Sequence, residues 1–137
     1  MASPARLRQR LQRLRDEHAR LLQVAFDTSP LWRGQVRHVQ RKCGKPTCRC
    51  TRGERHAATV LADRSGAELR NFTPKGKDLD RFTEMTEAYR ELRQRRSRLV
   101  EIQGEMLRIF DALESTRRDL AVRRYGGRLS ARGPGGT

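Results

Sequence analysis

The feature that most constrains this chain is a group of metal-ligating residue types packed into fourteen positions. Residues 43–56 hold all three cysteines of the chain and one of its three histidines, spaced Cys-x4-Cys-x-Cys-x5-His. These residues are Cys43, Cys48, Cys50 and His56. Three thiolates and one imidazole form a closed tetrahedral set for one structural zinc ion. Gly44 and Pro46 allow the tight turn that brings the first two sulfurs to one ion.

Several alternatives to this ligand set stay open. His38, five residues before Cys43, is the rival fourth ligand, and a residue of a partner or symmetry mate would serve if neither histidine binds. A metal-free reduced loop is a second interpretation. An iron–sulfur or redox role is a third, although three cysteines fall one short of the usual four. The cysteines are odd in number and clustered, which argues against a disulfide framework and favours reduced thiols in a cytoplasmic compartment.

Composition limits the size of the core. Of the 137 residues, 34% are charged and 35% hydrophobic, so we expect one small domain with helical extensions, stabilised by a metal or by helix pairing. The predicted fold is mainly α with a small antiparallel β module. Its predicted parts are an N-terminal helix (1–30), a zinc-binding β module (31–76), a long coiled-coil helix (77–125) and a disordered tail (126–137).

The helices follow from capping residues and apolar spacing. Ser3 as N-cap and Pro4 at the first helical position begin a helix over 4–26. Its narrow heptad stripe consists of Leu7, Leu11, Leu14, His18, Leu21 and Ala25. A longer stripe from Leu79 to Leu120 predicts a helix over 78–124, with a weak point or bend at Gly104 and an end at Tyr125. A hairpin with the first helix, a parallel dimer and an antiparallel dimer would each cover this stripe.

The middle of the chain has strand character. Val36 and Val39 indicate a short strand before the cysteines. Residues 56–62 and 67–72 predict a β-hairpin, with Gly66 in the left-handed turn position. Trp32 could stack on a nucleic-acid base, but packing at the helix–sheet junction is favoured.

Charge points to a polyanionic partner. The net charge is +15 and the pI is about 11.4, which is typical of nucleic-acid-binding proteins. Residues 33–75 carry eleven basic and three acidic side chains, an excess of eight positive charges, whereas the long helix mixes both signs. The candidate nucleic-acid-binding residues are Arg37, Arg41, Lys42, Lys45, Arg49, Arg52, Arg55, Arg64, Arg70 and Lys75.

Two other classes are disfavoured. No apolar run approaches the ~18–20 residues of a membrane span, so no membrane partner is expected. A nuclease or transposase needs converging carboxylates for metal-assisted phosphoryl transfer, and the β module offers only Glu54, Asp63 and Glu68. The sequence therefore predicts a protein without catalytic residues, and with zinc as its one cofactor.

The cysteine segment resembles a known family hallmark. The run Lys42-Cys43-Gly44-Lys45-Pro46-Thr47-Cys48-Arg49-Cys50, followed by Gly53 and His56, is similar to that of a family of small uncharacterised bacterial and archaeal proteins. The resemblance implies an accessory protein of mobile genetic elements, encoded near transposase or integrase genes. This chain departs from the family after the histidine, where Ala57-Ala58-Thr59-Val60 replaces a Gly-Pro and a tyrosine-rich strand.

Together these features predict a non-catalytic, zinc-containing nucleic-acid-binding accessory protein that prefers DNA to RNA. We expect it in the cytoplasm, where association with the nucleoid would fit, and paired through its long helix with a second copy or a protein partner. The alternatives are a coiled-coil adaptor with a structural zinc tip and an RNA-binding protein.

Overall fold

The computed structural model describes residues 2–130 and confirms the predicted fold class. Two helices, one of them very long, accompany a three-stranded antiparallel sheet. The elements are α1 (Pro4–Leu22) with a 3-10 turn (Gln23–Phe26), β1 (Gly34–Arg41), a 3-10 turn (Arg49–Thr51), β2 (His56–Asp63), β3 (Arg70–Phe72) and α2 (Lys77–Ser130). They form two compact units: a β unit of residues 27–95, and a helical unit of α1 with α2 from Arg96 onward.

The start of α1 confirms the predicted cap. The hydroxyl of Ser3 accepts the backbone N–H of Arg6 at 3.3 Å, and Pro4 occupies the first helical position, where a missing N–H costs nothing. The α-helix ends at Leu22 and continues only as a 3-10 turn to Phe26. Among the described residues, no helix combines the length and hydropathy that a membrane crossing requires.

The helical unit is held by the two predicted apolar stripes packed on each other. Leu14 of α1 and Ile102 of α2 are fully buried, and Ile109 is nearly so. The partly buried residues packed against them are Leu7, Leu11, Leu21, Met106 and Leu113. A hairpin within one chain therefore covers this stretch of the long stripe. Ala25, predicted on the stripe, is exposed because the α-helix has already ended.

Two forked ion pairs fix the register of these helices. Arg10 bonds both carboxylate oxygens of Glu105, at 2.7 and 3.1 Å, and Arg98 bonds both of Glu17, at 2.7 and 3.0 Å. Advancing along α1 from Arg10 to Glu17 means going back along α2 from Glu105 to Arg98, so the helices are antiparallel. The hydrogen bonds from these arginines lower the pKa of Glu105 and of Glu17 below ordinary values.

The β unit is an antiparallel sheet with β2 at its centre. β1 pairs with β2 from Gly34 opposite Asp63 to Arg41 opposite His56, and β3 pairs with the far end of β2. Central Leu61 is almost fully buried. The indole N–H of Trp32 donates to Asp63 at 2.8 Å, and its ring lies edge-on to Phe82 with centroids 5.2 Å apart. Trp32 therefore packs in this unit, as the favoured alternative predicts.

The prediction about the turn glycine was wrong. Among the described residues, the glycines with positive φ are Gly44, Gly53 and Gly76, so Gly66 is not in the left-handed region. The turn is made instead by the side chain of Asp63, which accepts the backbone N–H of Ser65 at 2.8 Å.

The long helix also does not stop at Tyr125. α2 has 54 residues, about 80 Å at 1.5 Å each, and passes through Gly104, Gly126 and Gly127 without interruption. The guanidinium of Arg128 lies 5.2 Å from the ring centroid of Tyr125, so a cation–π contact bridges the glycine pair. Residues 126–130 of the predicted disordered tail are thus helical, and 131–137 lie outside the described residues.

Candidate metal centre

The four predicted ligands meet at one end of the β1–β2 hairpin. The ligand atoms of Cys43, Cys48, Cys50 and His56 all lie within 4.8 Å of one another. The Sγ of Cys48 is 3.0 Å from Nε2 of His56, and the Sγ atoms of Cys43 and Cys50 are 3.6 Å apart. A tetrahedral ion bound at ~2.3 Å to sulfur and ~2.05 Å to nitrogen needs edges of roughly 3.6–3.8 Å. The group is therefore close enough to hold one metal ion.

Local backbone geometry builds this metal knuckle, by which we mean residues 42–55 between β1 and β2. Gly44 has φ of 83°, which a residue with a Cβ rarely adopts, and this turns the chain directly after Cys43. The N–H of Cys48 then donates to the carbonyl of Lys45 at 3.2 Å. The backbone N–H of Cys43 donates to the Sγ of Cys50 at 3.3 Å, which joins the first and last cysteines.

The 3-10 turn that contains Cys50 is closed by a threonine that sequence analysis overlooked. The backbone N–H and the hydroxyl of Thr51 both donate to the carbonyl oxygen of Cys48, at 3.1 and 2.7 Å. These two hydrogen bonds fix the backbone between the second and third cysteines. The signal was present as a hydroxyl residue three positions after a ligand, a spacing that favours such local turns.

Strand register decides between the two candidate histidines. His56 is the first residue of β2 and pairs with Arg41, so its ring lies at the end of the hairpin where the knuckle begins. His38 pairs with Thr59 further along the strands, and its Nδ1 lies 3.0 Å from the hydroxyl of Thr59. His38 therefore lies outside the group, which offers four candidate ligands from this chain alone.

Burial is uneven across the four ligands. Cys50 is 1% exposed and Cys48 half-buried, whereas Cys43 and His56 are exposed. An ion held here would be shielded on the Cys50 side and open to solvent beside the imidazole.

Seven exposed basic side chains surround the knuckle or lie on the strand leading to it. We call them the knuckle cations: Arg37, Arg41, Lys42, Lys45, Arg49, Arg52 and Arg55. Arg37 and Arg41 are four residues apart on β1, so they project from the same face of the sheet as His56, the partner of Arg41. Within residues 2–130, no salt bridge involves any of the seven. The guanidinium of Arg41 donates only to the hydroxyl of Thr73, at 3.4 Å.

The structure places two of the other three predicted binding residues, Arg64 and Arg70, away from this group. Arg64 follows β2 at the opposite end of the hairpin, where its N–H donates to the carbonyl of Arg33 at 2.9 Å. Seven strand steps at ~3.3 Å place that end about 23 Å from His56. Arg70 pairs with Asp63 at the same distant end. Lys75 lies between β3 and α2, two residues after Thr73, whose hydroxyl accepts from Arg41. Antiparallel pairing separates residues that one basic segment of sequence had grouped.

Asp63 has a structural role that sequence analysis did not assign. Asp63 is 7% exposed, and its carboxylate accepts hydrogen bonds from Ser65 and from the indole of Trp32. The bonds from Ser65, with a smaller contribution from Trp32, hold the pKa of Asp63 below its ordinary value. The spacing Asp-x-Ser, typical of a side-chain-closed turn, was the available signal.

A protein-family model matches residues 4–78, more than half of the chain. The chain belongs to the DUF6788 family, a domain family of unknown function. The DUF6788 match spans α1, the sheet with its Cys3His group and the first residues of α2. Membership of an uncharacterised family is thereby confirmed, while the association with mobile elements stays a prediction. Comparison with curated proteins gave no match, and comparison with solved structures gave none.

Proposed function

We propose that this chain is a non-catalytic nucleic-acid-binding protein whose zinc-stabilised knuckle presents cations to the phosphate backbone, with DNA as the preferred target. The observation that carries the proposal is the cluster of seven knuckle cations without a carboxylate partner among the described residues. Unpaired cations around a rigid turn are an electrostatic site for a polyanion.

The contrast with the helical unit supports this assignment. There, Arg10 and Arg98 are each held in forked bonds by carboxylates of the opposite helix. Arginines used in this way stabilise the fold and offer few donors to a ligand. The knuckle cations have no such partner in the described chain, so their donors remain available to phosphate oxygens.

Zinc is the ion that best fits the donor set. Three sulfurs and one imidazole nitrogen, here gathered within 4.8 Å of one another, are a donor set typical of structural zinc. With three thiolates and a neutral imidazole, a divalent ion leaves one net negative charge, which the surrounding cations offset. Binding at such sites supplies ~10–16 kcal/mol of apparent folding energy, enough to order a knuckle with little apolar core.

The choice of DNA and of an accessory role rests on the resemblance described above. The family with this hallmark is associated with mobile genetic elements, so we propose a role beside a transposition or recombination enzyme, in the cytoplasm. Catalysis is left to that enzyme. Residues 33–75 contain three acidic residues, Glu54, Asp63 and Glu68, and Asp63 is engaged in structural hydrogen bonds.

Fluorescence anisotropy with labelled duplex DNA and a stem–loop RNA of equal charge tests the proposal. We expect one zinc per chain by elemental analysis and a loss of affinity of at least about tenfold in the double variant Arg49→Glu/Arg52→Glu. The matched control is Arg123→Glu/Arg124→Glu, which makes the same charge change at two exposed positions of α2. Equal losses in both variants, or unchanged binding after zinc removal, would contradict the proposal, and tighter RNA binding would contradict the preferred target.

A further inference from the structure

The long helix carries a second apolar face that α1 does not cover. Val100, Leu107 and Phe110 are 57%, 65% and 63% exposed, whereas Ile102 and Ile109 of the same helix are buried in the helical unit. At 3.6 residues per turn these exposed residues lie on a different side of α2 from the buried pair. Large apolar side chains exposed together on one face commonly mark an interaction surface.

The spacing of this face is that of a coiled-coil seam. Steps of four and three residues alternate through Arg96, Val100, Gln103, Leu107, Phe110 and Glu114, which we call the outer stripe. The positions outward at the same spacing, Arg93 and Arg117, are both arginines, and this ends the stripe. Arg96, Gln103 and Glu114 are also exposed.

The outer stripe is complementary to itself when reversed. It has a cation at one end, an anion at the other, and three apolar residues and one glutamine between them, placed symmetrically about position 105. An antiparallel copy puts Arg96 opposite Glu114, Val100 opposite Phe110 and Gln103 opposite Leu107. A parallel copy would place Arg96 against Arg96 and Glu114 against Glu114, which is unfavourable.

We propose that a second copy of this chain docks on the outer stripe in antiparallel orientation, giving a two-fold symmetric dimer. Closed two-fold pairing uses the same patch on both subunits, which is what a reversed self-complementary stripe provides. Within its own helix Glu114 lies 3.9 Å from Arg118, with both side chains exposed, so its carboxylate can also reach Arg96 of the second copy. The proposal uses no residue of the metal knuckle and is independent of nucleic-acid binding.

Sedimentation equilibrium of the zinc-loaded full chain tests the apolar part of the stripe. We expect a dimer whose Kd rises by roughly tenfold or more in Leu107→Glu, because the charge would be buried against the partner. Val122→Glu is the matched control, since Val122 is 68% exposed on the same helix but outside the stripe. Leu107 is exposed in the single chain, so helical circular dichroism should not change. A monomeric wild type, or equal effects of both variants, would overturn the proposal.

Charge exchange tests the orientation. Arg96→Glu and Glu114→Arg should each weaken the dimer, and the double variant should restore it. A mixture of the two single variants should form a heterodimer tighter than either homodimer, because every end contact then joins opposite charges. If the single variants dimerise like the wild type, the antiparallel arrangement is wrong whatever the mixture shows, because a parallel pair joins like charges at both ends in the wild type and in each single variant.

Discussion

Salt dependence offers a quantitative test of how many knuckle cations contact phosphate. Each phosphate neutralised on duplex DNA contributes about 0.9 to the slope of log affinity against log salt concentration. Seven knuckle cations therefore set a limiting slope of about −6, and between 50 and 200 mM salt each contact costs roughly 3.5-fold. If all seven bind, affinity falls by several thousand-fold over that range; three contacts would give about 40-fold.

The assay is an anisotropy titration of zinc-loaded protein with labelled duplex, repeated at five or six potassium chloride concentrations. Arg52→Ala should make the slope shallower by about 0.9 without changing zinc content, because Arg52 is exposed and is not a ligand. Arg123→Ala on α2 is the control and should leave the slope unchanged. A wild-type slope shallower than about −2, or equal changes in the two variants, would refute the assignment of the knuckle as the binding site.

Four further predictions concern stability and the metal. Leu14→Ala should lower the free energy of unfolding by about 3–5 kcal/mol in urea, because the side chain is fully buried between the helices; a loss below ~1 kcal/mol would contradict that packing. Gly104→Ala should raise it by about 0.5–1 kcal/mol, since an added Cβ would meet only a flexible arginine end at 3.5 Å; destabilisation would mean that the site is tighter than described. Asp63→Asn should destabilise the protein at neutral pH, and the difference from wild type should shrink as the pH falls through the lowered pKa of Asp63, where the wild-type carboxylate also loses its charge; a difference that grows in acid would have the wrong sign. Cys50→Ser should reduce bound zinc from one ion per chain towards none and lower urea stability as chelation of the wild type does; full zinc retention would remove Cys50 from the ligand set.

Local features of the fold were predictable from the sequence because their causes are local. The Ser3–Pro4 start of α1 depends on neighbouring residues, and the three cysteines lie within eight positions, so their meeting needs only a tight turn. The choice of His56 over His38 was not decidable in this way. It follows from the pairing of β1 with β2, which the sequence does not specify at single-residue resolution.

The long helix shows the opposite limitation. Gly126 and Gly127 are weak helix formers, and propensity alone ends the helix before them. The contact of Arg128 with Tyr125 supports the backbone across the pair, and a cation in the last turn also suits the helix dipole. Likewise, apolar spacing identified the stripe of α2 but not the helix that packs on it, because a hairpin with α1, a parallel dimer and an antiparallel dimer all satisfy the same pattern. The ion pair of Arg10 with Glu105 joins residues that are far apart in the chain, and only folding reveals it.

The position of Trp32 has a practical consequence for spectroscopy. It is the chain's one tryptophan, and its ring lies against Phe82 and Asp63 inside the β unit. Its intrinsic emission therefore reports on residues 27–95 without any attached dye, whereas circular dichroism follows chiefly the helices. Recording both signals from one sample would separate the unfolding of the β unit from the loss of helix in the chain as a whole.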